Sequence, residues 1–330
     1  MNARRTGIAA AAAWAAGLAL TGCARCPHAM VSMDRLVDEY NANAARAPRL
    51  WARAKIAVGM TTRDGLAVSW GSTSPLAASN GLLVLAKGPN RLGPHYFVLV
   101  GRELNQELFR VGSNVDEGLY YFWYRFGKQG RAWVGRNKLA GAPGVEGLPM
   151  DPTQFLAVLS ICELPTDFTD APTVAMTMDT DPASCAYVLT YIDRQPVTRR
   201  LGFRREVYFH WGKDKPPPCL SGDVYKKQRR PFMVKFLDDQ GRRIMTAHLD
   251  KYRPIDPADD APQGAQPPVM PTDIRIDWPE KNSRVHIVLS EMTAGRKGDP
   301  RRASRFKAYV PQNIPIIRVD DHISTGGRDP

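Results

Sequence analysis

The sequence lacks the short motifs that mark common enzyme active sites. It contains no G-x-S-x-G, no H-E-x-x-H, no phosphate-binding loop and no G-x-G-x-x-G. Its acidic residues fall mainly in loops, such as Asp256 to Asp260, and form no isolated carboxylate pair suited to acid–base catalysis. These absences predict a protein that is not an enzyme, with no catalytic residues and no cofactor.

Cysteine and histidine are both scarce, with five and six copies in 330 residues. The cysteine spacing matches no zinc pattern. His210, His248 and His286 fall in predicted strands, at polar positions or strand ends, where a solvent-facing histidine is the default. No metal site is therefore predicted.

No apolar run is long enough to span a bilayer, which takes about 20 residues. The run from Ile8 to Leu20 follows Arg4 and Arg5 and has the length and flanks of an export signal. It ends in L-T-G-C, which resembles the lipobox of bacterial lipoprotein precursors. That resemblance implies cleavage before Cys23 and acylation of Cys23, while an ordinary secretory signal is the alternative.

The predicted organisation is therefore a signal peptide over 1–22, a lipidated tether over 23–32, one domain over 33–318 and a disordered tail over 319–330. An anchored protein would lie outside the cytoplasm of a diderm bacterium. An alanine at the second mature position, Ala24, favours anchoring in the outer membrane, where the protein would face the periplasm.

An exported chain permits disulfides. Cys185 could pair with Cys219 or Cys162, and free buried thiols are equally compatible with the sequence. Cys162 as a nucleophile lacks a basic partner nearby in sequence.

Acidic residues are outnumbered, 33 against 45 lysines and arginines, which gives a formal charge of +12. Removing 1–22 takes away two arginines and no acid, and leaves +10. The excess lies in clusters at Arg199 to Arg205, Lys226 to Arg230 and Arg296 to Arg305. An exported lipoprotein rarely meets nucleic acid, so of these two partners anionic lipid headgroups are the better match. Solvated loops that bind neither are favoured over both.

Short strands with turn residues between them dominate the middle and end of the chain. Close succession without intervening helices predicts an antiparallel meander. The predicted strands are 51–59, 66–70, 82–87, 95–100, 107–111, 119–126, 131–135, 187–193, 203–210, 232–238, 243–249, 273–278, 284–290 and 305–310.

Two helices are predicted. Met33 to Ala45 carries apolar residues at helical spacing after the N-cap candidate Ser32. A second helix follows Asp151 and Pro152, with Phe155, Val158, Leu159 and Cys162 on one face, and its apolar girth indicates burial on several sides. The loop 254–272 reads as exposed and mobile.

The stretch "LYYFWYRFG", 119–127, departs from the alternation expected of a strand with one wet face. Seven of its first eight residues are aromatic or aliphatic. Tyr120, Phe122, Tyr124 and Phe126 would share one face of this strand, and the odd-numbered residues would share the other.

Three segments carry a resemblance to the LolA/LolB family of bacterial lipoprotein carriers. They are the N-terminal helix running into "LWARAKIAVGM", then "LLVLAKGPNRLG" with "YFVLVG", "ELFRVGSN" and the aromatic strand, and finally "PTDIRIDWPEKNSRVHIVLSEM" with "SRFKAYVP", whose Phe306 and Pro311 match a terminal F-x-x-x-x-P. The resemblance implies an α+β, mostly antiparallel fold: an unclosed β-barrel of about eleven strands around a helical lid.

The same resemblance implies a hydrophobic cavity and a lid that plugs it. In such a fold Phe122 and its even-numbered neighbours would point inward, and the other face of their strand would pack against the N-terminal helix or lie at the rim of the barrel. The lid residues would be Phe155, Leu156 and Leu159. The alternative is a plain sheet core in which aromatic side chains fill the space. The predicted cavity residues are Leu85, Phe97, Leu99, Phe109, Tyr120, Phe122, Tyr124, Ile274 and Ile276.

The predicted function is binding of acyl chains, from lipoproteins or lipids, in transfer or acceptance by a monomeric, membrane-anchored protein. The alternative is a structural or assembly lipoprotein with the same fold. An exposed apolar loop tip able to enter a bilayer would favour the first, and Leu76 in "STSPLAASNGLL" is the candidate.

Overall fold

The computed structural model describes 31–61, 67–76, 80–90, 94–104, 106–126, 129–139, 152–159, 162–167, 173–179, 186–194, 201–210, 229–257, 261–294 and 306–321. The predicted signal peptide, the acylation site Cys23 and the cysteines at 26, 185 and 219 lie outside these residues, so these predictions stay predictions.

Within the described ranges, two α-helices and two short 3-10 helices, Asn137–Leu139 and Pro279–Lys281, accompany the strands. Helix α1 is Met33–Ala45, as predicted, and Ser32 caps it by accepting a hydrogen bond from the Arg35 amide. Helix α2 is Pro152–Val158 and is shorter than predicted, because the chain leaves the helix before Cys162.

Thirteen of the fourteen predicted strands are confirmed. Alternation and turn residues located them because both signals are local. The strands are β1 Arg49–Thr61, β2 Ala67–Gly71, β3 Gly81–Ala86, β4 Tyr96–Glu103, β5 Gln106–Asn114, β6 Leu119–Phe126, β7 Gln129–Arg136, β8 Thr173–Asp179, β9 Ala186–Arg194, β10 Leu201–His210, β11 Pro231–Leu237, β12 Arg243–Asp250, β13 Arg253–Pro254, β14 Val269–Met270, β15 Asp273–Trp278, β16 Ser283–Thr293 and β17 Ile316–Arg318.

One open sheet contains 15 of these strands within the described residues, so the expected count of about eleven is wrong. The order is β17-β7-β6-β5-β4-β3-β1-β16-β15-β12-β11-β10-β9-β8, with β2 also paired to β1. Every pair is antiparallel except β17 with β7, and the end strands β17 and β8 do not meet. The predicted mostly antiparallel, unclosed architecture is confirmed.

One predicted strand is wrong: the segment 306–310 is not a strand, and β17 follows it instead. Val319 and Asp320, just beyond the predicted domain limit at 318, are buried, and the domain limits stay a prediction. In the predicted loop 254–272, residues 262–267 are exposed, while Ile255 and Met270 are buried and β13 pairs with β14.

One face of the sheet, called here the inner face, encloses the main hydrophobic cluster. Both helices lie on it: α1 contributes Leu36, Val37 and Tyr40, and α2 contributes Phe155 and Leu156. The cluster also draws side chains from strands at both ends of the sheet order, such as Trp133 of β7 and Tyr191 of β9. The sheet therefore wraps around a shared apolar interior.

Candidate functional site

The inner face carries every residue predicted to line a cavity. All nine positions belong to the main cluster, and none is more than 6% exposed. Alternation in β3 to β6 and in β15 places them there, since every second residue of a strand faces the same side. These residues are Leu85, Phe97, Leu99, Phe109, Tyr120, Phe122, Tyr124, Ile274 and Ile276.

Helix α2 occupies the space over these strands. The Phe155 ring stacks on Phe97 of β4, with centroids 5.1 Å apart and an interplanar angle of 27°. Leu156 and Leu159 are also buried in the same cluster. The predicted cavity residues and the predicted lid residues thus touch one common apolar interior, which the lid residues fill.

Polar contacts of α2 and the chain after it are few among the described residues. Trp278 Nε1 donates to Gln154 Oε1 at 3.4 Å. Asn41 of α1 bonds both backbone groups of Leu164, at 2.8 and 2.7 Å. The predominantly apolar attachment of the helix itself means that burial of its side chains holds it in place.

Cys162 lies just beyond α2, with a free thiol that donates to the Leu156 carbonyl at 3.4 Å. Burial raises the pKa of this thiol to about 11. A protonated, buried thiol is a poor nucleophile. Cys162 therefore acts as part of the core, as its position in the helical stripe indicated.

The aromatic strand β6 is covered on both faces. Tyr120, Phe122 and Tyr124 face inward, as predicted, and Phe122 stacks on Trp133 with centroids 5.4 Å apart. The opposite residues, Tyr121 and Trp123, are also buried. Aromatic composition on both sides of β6 thus reflects two separate apolar environments.

The C-terminal segment 306–321 covers the outer face of β6, so the expectation of the N-terminal helix or a rim there is wrong. The Trp123 indole donates to the Tyr309 carbonyl at 2.8 Å, and the Tyr121 hydroxyl donates to the Phe306 carbonyl at 3.3 Å. Ile314 packs with Trp123 in a small separate cluster. Sequence distance of about 185 residues hid this contact from local pattern analysis.

A cavity of about 710 Å³ opens beside α1, at the start of β11. Four arginines and one carboxylate line it, and Glu39 pairs with Arg35 at 3.2 Å and Arg229 at 2.8 Å. The other two arginines are Arg46 and Arg230. Positive charge dominates this cavity, whose lining includes Arg229 and Arg230 from the basic cluster at Lys226 to Arg230.

A hydrogen-bonded network that the sequence did not indicate lies on the outer face. His286 Nδ1 contacts Thr73 Oγ1 and His286 Nε2 contacts Asp273 Oδ1, both at 2.8 Å. The buried Asp273 carboxylate also pairs with Lys251 at 2.7 Å. The ion pair with Lys251 compensates the charge of the buried carboxylate. The contacts of His286 join β15, β16 and the loop after β2.

Two leucines stand out in solvent. Leu76 is 97% exposed and Leu104 is 93% exposed. Both lie at the same end of the sheet, since Gly81 at the start of β3 pairs with Gly101 near the end of β4. Leu76, the sequence candidate for an exposed apolar loop tip, is therefore exposed, and Leu104 is a second one that hydrophobicity alone did not single out.

The described residues contain no cluster of metal-ligating side chains. None of their helices combines the length and apolar character needed to cross a membrane.

No family model and no curated protein matches this chain. Among solved structures, it is similar to a DUF1329 family protein from Desulfovibrio piger, with 10% identity, a TM-score of 0.42, and coverage of 79% of this chain and 90% of that chain. A putative outer membrane lipoprotein-sorting protein domain from Vibrio parahaemolyticus gives 10% identity, a TM-score of 0.42 and coverage of 78% and 90%.

A LolA superfamily protein from Nitrosomonas europaea gives 11% identity, a TM-score of 0.38 and coverage of 80% of this chain and 94% of that chain.

Proposed function

We propose that this protein is an envelope lipoprotein, anchored through Cys23, that binds acyl chains of lipoproteins or lipids on its inner face, with α2 as a lid, in transfer or acceptance. The observation that carries the proposal is a short helix whose side chains Phe155, Leu156 and Leu159 fill the interior of an open apolar sheet. The anchored protein would work from the outer membrane, facing the periplasm.

The energetics allow exchange between lid and ligand. An acyl chain of sixteen carbons gains about 12 kcal/mol on leaving water, before the costs of binding. Three buried lid side chains gain about 1.5–3 kcal/mol each in the closed state. Net affinity is the difference between these two buried states, which is small enough for release. No covalent chemistry is needed.

The exposed leucines favour work at a membrane surface. Leu104 has a left-handed backbone, with φ of 47°, a conformation that leucine adopts at a cost. A leucine that is also 93% exposed gains nothing from burial within the protein. Insertion of Leu104 and Leu76 into a bilayer would bury both side chains and offset the backbone cost at Leu104. The Lys55 ammonium holds the loop before Leu76 by donating to the Ser74 and Pro75 carbonyls at 3.1 and 2.8 Å.

A structural or assembly lipoprotein with the same fold is the second candidate. Complete burial of the nine inner positions favours it, because a permanently filled interior needs no ligand. The two candidates differ in whether α2 leaves its place.

The test is to express residues 28–330, which include every described residue, and to extract bound lipid for mass spectrometry. A displaceable apolar dye provides the second measurement. We expect co-purified acyl lipid in stoichiometric amount and dye displacement by that lipid. A folded protein with neither lipid nor dye binding would favour the assembly role.

A further inference from the structure

Arg204 and Arg205 are neighbours in one basic cluster but point to opposite faces of β10. Arg204 is exposed on the outer face and pairs with Glu206 at 2.9 Å. Arg205 shares the inner face with Val207 and Phe209, both of which belong to the main hydrophobic cluster. The structure therefore places the partly buried side chain of Arg205 on the inner face, beside the main hydrophobic cluster.

The surroundings of Arg205 are apolar and aromatic. Its two neighbours across the strands are Tyr191 of β9 and Phe236 of β11, which are both buried. The guanidinium carbon lies 5.0 Å from the centroid of the Tyr191 ring. A cation–π contact compensates part of the lost hydration, but it does not satisfy the buried Nε–H donor.

Among the described residues, two polar atoms at this point are buried without a hydrogen-bond partner: Nε of Arg205 and the hydroxyl of Tyr191. Such groups are rare in native proteins, because leaving one unsatisfied costs the full loss of its hydration. The two residues are directly paired across β10 and β9, and one of them is a cation, so both groups are suited to bind an oxyanion.

The other titratable groups near Arg205 do not supply a negative charge. Burial raises the pKa values of Tyr40 and Cys162, and the charge of Arg205 offsets only part of that rise. Both groups are therefore neutral at physiological pH. Among the residues that the structure describes, no carboxylate forms an ion pair with Arg205.

We propose that Arg205 and Tyr191 form a head-group site for the oxyanion of an acyl ligand, a carboxylate or a phosphate, held by the Arg205 guanidinium and the Tyr191 hydroxyl. This rests on the proposed acyl binding at the inner face and specifies the cargo as an anionic lipid. A guanidinium presents its N–H donors in a planar fork that fits these oxyanions. The uncharged acylated cysteine of a lipoprotein offers no such group.

The arginine-lined cavity gives the head group a route to this site. Tyr40 belongs to the wall of that cavity and also to the main hydrophobic cluster. Burial raises the pKa of Tyr40, and the nearby charge of Arg205 offsets part of that rise. Four guanidinium groups against one carboxylate attract anions to the cavity mouth. An anionic head entering there would approach Arg205 past the Tyr40 ring.

The test compares three ligands with the same twelve-carbon chain: dodecanoate, dodecyl phosphate and dodecanol. Their affinities for residues 28–330 are measured by displacement of an apolar dye. We expect the better anion to bind at least about tenfold more tightly than dodecanol, as a charge-assisted hydrogen bond allows. Preference for one anion over the other identifies the head group.

Variants locate the effect. Arg205→Met should remove the preference for the anion and leave dodecanol affinity unchanged, and Tyr191→Phe should reduce the preference by about threefold. Arg204→Met is the matched control, one residue away on the outer face, and should keep the preference. Loss of the preference in Arg204→Met as well would overturn the inference, because surface charge would then explain it.

The remaining outcomes separate this inference from the proposed function. Equal affinity of the folded protein for the three ligands would overturn the head-group site and leave acyl binding intact. If no twelve-carbon ligand binds, the proposed function is wrong. Thermal stabilisation by inorganic phosphate then tests whether Arg205 and Tyr191 bind an oxyanion. Stabilisation by phosphate that Arg205→Met abolishes would support an oxyanion site. If phosphate does not stabilise the unsubstituted protein, the oxyanion site is overturned.

Discussion

Phe155 of α2 stacks on Phe97 of β4, with ring centroids 5.1 Å apart. Both side chains are fully buried, so the contact excludes water from the interior of the sheet. Offset or tilted stacking of two such rings adds about 0.5–1.5 kcal/mol to the gain from burial. This pair is the best-defined contact between the proposed lid and the strands beneath it.

Phe155→Ala should lower the free energy of unfolding by about 3–5 kcal/mol and raise the affinity for an apolar dye about tenfold, because the vacated volume lies on the inner face. Denaturant titration and dye fluorescence measure the two effects. Phe306→Ala is the control, since Phe306 is buried against Tyr96 on the outer face. Lower stability without new dye binding would mean that α2 is static core.

The contact between the C-terminal segment 306–321 and the outer face of β6 predicts a separate effect on stability. Trp123→Phe removes the hydrogen bond to the Tyr309 carbonyl and leaves an aromatic ring in place. The free energy of unfolding should fall by about 1–3 kcal/mol, with no change in dye affinity. A change in dye affinity would show that the two faces of β6 are coupled, contrary to their separate clusters.

Leu76→Glu combined with Leu104→Glu should weaken binding of residues 28–330 to vesicles of phosphatidylethanolamine and phosphatidylglycerol at least tenfold. Folding stability should change by less than about 0.5 kcal/mol, since both side chains are exposed. Ile316→Glu, at an exposed residue of the edge strand β17, is the control. Vesicle co-sedimentation is the measurement, and equal losses in the control would contradict insertion by the two leucines.

The surroundings of Asp273 predict how the free energy of unfolding depends on pH. Burial alone would raise the pKa of this carboxyl, but hydrogen bonds from Lys251 and His286 outweigh it and hold the pKa below its usual value. Arg275, 3.5 Å away, adds to the positive surroundings. Because the folded-state pKa is the lower one, this stabilisation is complete above the unfolded-state pKa of about 3.9 and is lost as pH falls through the folded-state pKa.

Asp273→Asn should therefore cost about 2 kcal/mol at pH 7, and the difference from the unsubstituted protein should shrink below about pH 4. Unfolding free energies measured from pH 3 to 7 test this. Asp277→Asn, at an exposed position of the same strand, should have little effect at any pH. A constant difference between Asp273→Asn and the unsubstituted protein across that range would exclude the ion pair as the cause.

Much of the secondary structure was predictable from local pattern. The boundaries of α1 match the prediction, and β6 and β15 match to the residue. Strand β8 was missed because its apolar residues are Val174, Met176 and Met178, and methionine lacks the strand preference of the aromatic residues that marked other strands. The strand expected at 305–310 failed because its apolar residues cover another strand and make no ladder of their own.

The sequence by itself determined which residues share a face, and so it identified Phe97, Phe122 and Phe155 as members of one apolar interior. Only the tertiary structure decided that Tyr121 and Trp123 lie beneath the C-terminal segment, and that Arg205 lies over the Tyr191 ring beside the main hydrophobic cluster. The reason is physical. Periodicity of 2.0 or 3.6 residues fixes the side of an element within a few positions, whereas the partner that covers that side comes from any distance along the chain.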